Sequence, residues 1–105
     1  MDKKMILADE LTAYTMIAVG WEYDTKQDHL IDREGEVVGW EDYDTLTLNE
    51  PITHNGTPYQ QINVWGDGTL EFQDSTDCDS YNWNDFSEEF IEQALVQVIT
   101  MVDGE

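Results

Sequence analysis

Residues 59–72 read YQQINVWGDGTLEF, the clearest pattern in the chain. Apolar and polar residues alternate through its first half. Gly66-Asp67-Gly68 then interrupts the pattern, and Leu70 and Phe72 resume it. Two period-two runs separated by a glycine-bearing turn are the signature of a β-hairpin. The middle of the chain is therefore expected to be an antiparallel sheet, and the flanking segments must supply what covers its apolar face.

Upstream, TLTLN (45–49) also alternates, Pro51 reads as its end, and HNG (54–56) marks the reversal into the first arm. Earlier still, HLIDREGEVVGW (29–40) reads as a hairpin. Its Asp32-Arg33-Glu34-Gly35 segment suits a type I turn closed by a glycine with positive φ. Four or five antiparallel strands are expected between Trp21 and Phe72. The polar run QDSTDCDSYNWND (73–85) reads as a loop.

The two ends carry a different period. Leu7, Leu11, Tyr14 and Ala18 are spaced for a helix over residues 5–19, with Gly20 as its stop. The β-branched Thr15, Ile17 and Val19 leave a strand open over its last part. Phe86, Phe90, Ala94, Leu95, Val98 and Val102 mark one face of a second helix. Its start is either Asp85 with Glu88 as a capping box, or Ser87 with a staple between Phe86 and Ile91. The expected architecture is α+β: an antiparallel sheet of four to five strands, with an N-terminal and a C-terminal helix packed on one face. One acidic domain over residues 1–105 is expected. The other sheet face would meet water, a partner or a second copy of the chain, with Glu36, Glu41 and Glu71 as candidates to line it.

Charge is the anomaly. Twenty-four Asp and Glu face four Lys and Arg, a formal charge of -20. The cations are Lys3, Lys4, Lys26 and Arg33, and the 72 residues after Arg33 carry seventeen acids and no Lys or Arg. Two exposed carboxylates about 6 Å apart repel by ~0.7 kcal/mol in water, and roughly half that at physiological salt. A dozen such pairs remove a sizeable share of a stability of about 5–15 kcal/mol. Solubility alone needs a charge of magnitude ~2–8. Three explanations compete: an accessory or structural protein with a solubilising acidic surface, a calcium-binding domain, and a protein that displays acids to a basic partner.

The phrases GWEYDT (20–25) and GWEDYDT (39–45) nearly repeat. Their flanks do not match, so they read as a local device: aromatics that anchor a strand, with carboxylates held outward beside them. In strand geometry Trp21 and Tyr23 share a face. Trp40 and Tyr43 fall on opposite faces unless a bulge intervenes.

Little supports catalysis. His29 and His54 sit in no familiar signature, and Cys78 lies between Asp77 and Asp79, the opposite of the electropositive setting a reactive thiolate wants. There is no G-x-S-x-G, P-loop, C-x-x-C or H-E-x-x-H. No enzyme and no cofactor are expected. The calcium alternative uses the acidic loop 74–88, where Asp77, Asp79, Asp85 and Glu88 match positions 1, 3, 9 and 12 of the twelve-residue calcium loop. Tyr81 replaces an oxygen ligand there and Asn82 the glycine of the sharp turn. Direct nucleic-acid binding is disfavoured, because it needs Lys and Arg to displace counterions. The apolar run Met5–Ala8 is ended by Asp9 and Glu10, too short for a signal peptide or a membrane span. With one cysteine, a cytoplasmic protein without membrane contact is expected.

The surface can instead imitate phosphates. Same-face residues on a strand lie ~6.8 Å apart, as do two phosphate steps along one DNA strand. In size and charge the chain resembles the DNA-mimic inhibitors carried by phages and mobile elements. Such proteins block restriction enzymes, CRISPR effectors or other nucleic-acid-binding proteins. The resemblance implies a non-catalytic inhibitor in the basic groove of such a partner, inside the host cell if phage-encoded. The residues expected to meet it are Glu41, Asp42, Asp44, Asp74, Asp77, Asp79, Glu88 and Glu92, with Tyr43, Tyr81 and Trp83 as aromatic anchors.

Overall fold

A computed structural model of the chain describes residues 2–104; Met1 and Glu105 lie outside the described residues. The order is α1 (Lys3–Ala18), β1 (Glu22–Asp24), β2 (His29–Ile31), β3 (Tyr43–His54), β4 (Thr57–Trp65), β5 (Leu70–Asp74), β6 (Ser80–Asn82), a 3-10 turn at Trp83–Asp85 and α2 (Glu88–Asp103). The fold is α+β. Its strands form two antiparallel sheets rather than one: β1-β2, and β3-β4-β5-β6 in that order.

The 59–72 hairpin forms as read. Ile62 pairs with Phe72 and Val64 with Leu70, and all four are buried on one face with Leu46 beside Ile62. Both helices pack on that face, α2 against β3 and α1 against β4, and against each other. Leu11, Ile91, Ala94 and Val98 join the sheet residues in one apolar cluster. Burying a side chain such as Leu11 or Phe72 contributes roughly 1.5–3 kcal/mol. The opposite face carries polar rows. Thr45 Oγ1 donates to Asn63 Oδ1 at 2.7 Å and Asn63 Nδ2 to Ser80 Oγ at 3.2 Å. Of the three glutamates expected on this face, Glu71 lies there, beside Asn63 and Asn82. Glu36 and Glu41 lie outside the strands.

Several boundaries differ from expectation, each for a physical reason. Pro51 does not end its strand. It lies in the irregular stretch where the β3-β4 register shifts between Thr47 and Ile52, and a bulge is a place where a strand tolerates proline. Residues 80–82 are a strand rather than loop, because β5 offers its free edge at Gln73, Phe72 and Glu71. The 29–40 hairpin keeps its turn, with Gly35 N–H donating to Asp32 O at 3.0 Å and Gly35 at φ +80. Its second arm is reduced to the bridge between Ile31 and Val37.

The helix ends follow local chemistry. Asp2 caps α1 through Lys4 N–H. At the other end, Gly20 N–H donates to Ile17 O and Trp21 N–H to Met16 O, a Schellman stop with Gly20 at φ +90. No strand forms over Thr15–Val19. Thr15 is buried, its hydroxyl donating to Leu11 O at 2.6 Å. α2 starts at Ser87, whose Oγ accepts from Phe90 N–H at 3.2 Å, and Asp85 belongs to the preceding 3-10 turn. Phe86 stacks on Phe90 with centroids 4.4 Å apart, and Tyr59, Phe72 and His54 pack around that pair. No helix among the described residues is long and apolar enough to cross a membrane.

Candidate functional site

The acids divide by type. Asp2, Asp24, Asp32, Asp42, Asp44, Asp67, Asp74 and Asp77 each accept a nearby backbone N–H, so much of the aspartate content builds turns and caps. Among the described glutamates, only Glu71 accepts a hydrogen bond through its carboxylate, from Trp65 Nε1 at 3.0 Å. The cations offset little of this. Lys3 pairs with Glu88 at 3.5 Å, the one ion pair among the described residues. Lys4 Nζ donates to Asn84 O at 2.9 Å and lies 5.8 Å from the Trp83 ring centroid. Arg33 Nη2 donates to Ala18 O at 3.1 Å, so its charge sits at the negative end of α1. Its stem covers Gly20 so closely that a β-carbon there would collide with it.

Sheet geometry splits the expected site residues into two groups. Tyr43 pairs with Trp65 at one end of β3, and His54 with Thr57 at the other. Eleven strand steps separate Tyr43 from His54, on the order of 35 Å. Glu41, Asp42, Tyr43 and Asp44 lie at the first end. Asp74, opposite Tyr59, and the turn with Asp77 and Asp79 lie toward the second.

At the second end, Asp74 is buried, and its Oδ1 accepts from Thr76 Oγ1 at 2.6 Å and Thr76 N–H at 2.7 Å. These bonds, the side-chain one foremost, hold its carboxyl below the usual carboxylate range. Asp74 is thus a turn builder and is not displayed. Tyr81 is 39% exposed on the edge strand, and desolvation, with Asp79, Asp77 and Asp74 behind it, pushes its phenol up. Trp83 is half-buried beneath Lys4, Glu88 faces Lys3, and Glu92 is exposed. The four calcium candidates do not surround one point: β6 and the 3-10 turn stretch the chain between Asp79 and Glu88. Among the described residues, no group of three or more His, Cys, Asp or Glu converges for a metal ion.

The first end holds a groove of about 600 Å³. Val19, Trp21, Val37 and Val38 contribute its apolar lining, and six acids from Asp32 to Asp44 surround it together with one cation, Arg33. Tyr43 stands at its side, 57% exposed and stacked on Trp65 at 4.7 Å between centroids. Beside the groove, Gly39-Trp40-Glu41-Asp42 forms a tight turn: Asp42 N–H donates to Gly39 O at 3.1 Å, and Gly39 N–H to Asp42 Oδ2 at 2.8 Å. The repeated phrase here has two fates, and the expectation that both aromatics anchor strands is corrected. Trp21 is 7% exposed, whereas Trp40 is 82% exposed. Asp32, Glu34 and Trp40 were not among the residues read as a site. No local signal lifts Trp40 off a strand, because type I turns favour Asp at the first position and Gly at the fourth and this turn has them reversed.

No protein-family model, curated protein or solved structure matches this chain. The chemistry of the groove alone therefore carries the functional reading.

Proposed function

We propose that the protein is a non-catalytic binding protein whose displayed carboxylates occupy the basic groove of a nucleic-acid-binding protein, as a mimic of DNA or RNA. The observation that carries this reading is the pairing of charges. A chain of formal charge -20 has one ion pair among its described residues, and Arg33, the cation in the wall of its acidic groove, is turned onto a helix end and pairs with no carboxylate among them. Unpaired anions around one concavity favour a partner that brings the missing cations. They also raise its encounter rate through long-range attraction.

The groove at Glu34, Glu36, Glu41 and Asp44 is the first choice for the contact surface. At the far end, Lys3 and Lys4 already stand against the Glu88 side, which lowers the net field there. Capture from a lysate of the producing cell tests the reading. Immobilised protein should retain basic nucleic-acid-binding proteins that duplex DNA displaces. A retained set indifferent to duplex DNA, or no retained protein at low salt, contradicts it.

A further inference from the structure

Among the described residues, Trp40 is the most exposed large apolar side chain, at 82%. An indole left in water forgoes one of the largest burial gains a side chain can make. Its position is nevertheless built rather than loose. Trp40 and Glu41 are the two central residues of the turn closed by Asp42 N–H to Gly39 O and by Gly39 N–H to Asp42 Oδ2. That turn is fixed to the sheet through Gly66 N–H, which donates to Asp42 O at 2.8 Å. Gly66 approaches Gly39 so closely that only glycine fits there. An exposed tryptophan on a preorganised support is the form a binding hot spot takes, because little ordering remains to be done on association.

The surroundings select the occupant. An apolar pocket closing over Trp40 would also desolvate the neighbouring Glu41, and the groove acids beyond it, without partners, which is costly. A guanidinium satisfies both features at once: its plane stacks on the indole while its N–H fork meets a carboxylate. A lysine ammonium, compact and more strongly hydrated, gains less from the ring. Resting on the reading above, we propose that Trp40 is the anchor of the interaction and that it receives an arginine side chain of the basic partner. Glu41, the next residue of the same turn, accepts that arginine's N–H groups, and the groove acids draw the partner's other cations.

Titration with nine-residue oligoarginine and oligolysine peptides, followed by calorimetry at matched salt, tests this. Oligoarginine should bind about five-fold more tightly. Trp40→Ala should remove that preference while leaving the melting temperature unchanged, and Glu34→Gln/Glu36→Gln/Glu41→Gln should weaken both peptides. Equal affinity of the wild type for both peptides overturns the assignment of Trp40, as does an arginine preference that survives Trp40→Ala. In either case the acidic-groove reading stands if binding still weakens with salt. Failure of both peptides to bind overturns the two together.

Discussion

Gly66 packs against Gly39 with no room for a β-carbon: one built on Gly66 would overlap the Gly39 carbonyl oxygen and lie 3.1 Å from Val38 Cγ1. The obstacle is backbone, so it cannot swing aside as a flexible side chain would. This approach joins the β4-β5 turn to the turn that holds Trp40 out. The sheet thereby sets the position of the proposed anchor.

Gly66→Ala should lower stability by about 1–3 kcal/mol. Gly39→Ala should stay within about 0.5 kcal/mol, since its β-carbon would meet only the Asp42 carboxyl group, with Oδ2 nearest at 3.4 Å. Chemical denaturation of the two variants checks the order. Equal losses contradict the asymmetry of the contact.

Gln97 closes the open edge of β3. Its side-chain amide accepts from Glu50 N–H at 3.1 Å and donates to Glu50 O at 3.0 Å, as a neighbouring strand would. Gln97→Ala should cost about 1–2 kcal/mol and speed amide exchange at Glu50. Gln97→Glu should be at least as damaging, because the carboxylate keeps the acceptor but sets an anion against the Glu50 carbonyl. Exchange at Glu50 unchanged in both variants contradicts this role.

How far the sequence could be read depends on which features are local. Asn55 and Gly56 have φ of 50 and 83, and Gly68 has φ of 92, so the two hairpin turns needed residues that tolerate the left-handed region and the sequence displayed them. The helix stop at Gly20 was legible in the same way. Strand β6 was not, since Ser80-Tyr81-Asn82 is short and exposed, and its pairing comes entirely from β5. Pro51 misled because a strand tolerates proline where its register shifts, and that irregularity is a tertiary fact. At the site, the acidic character of residues 41–44 was readable, but their separation from residues 74–80 was not. Nor does residue type reveal that Trp21 is covered by its neighbours while Trp40 is held away from them.

Acid should reach the 74–79 turn late, below the pH at which an ordinary aspartate protonates. The Asp74 carboxyl is lowered by its bonds from Thr76, so it contributes stability above the ordinary aspartate range. That contribution is lost as pH falls through its lowered value. Thr76→Val, which removes the hydroxyl donor, should reduce the melting temperature at pH 7 and leave a smaller further drop between about pH 4 and pH 2. Parallel melting curves for wild type and variant across that range contradict the assignment.

Self-repulsion predicts a response to simple salt. With a formal charge of -20 and one ion pair among the described residues, the melting temperature should rise between low salt and physiological salt, equally in sodium and potassium chloride. Glu34→Gln/Glu36→Gln/Glu41→Gln should raise the low-salt melting temperature and flatten the dependence. A melting temperature that falls with salt contradicts unpaired surface charge as a destabilising load.

Whether carboxylates stand in for phosphates at this groove shows in the affinity for a captured partner across a salt series. For the wild type, log K should fall steeply and linearly with log salt, and Glu34→Gln/Glu36→Gln/Glu41→Gln should give a shallower slope and weaker binding at low salt. An affinity that stays flat from low to high salt, or a slope that the three substitutions leave unchanged, would contradict carboxylates acting in place of phosphates at this groove.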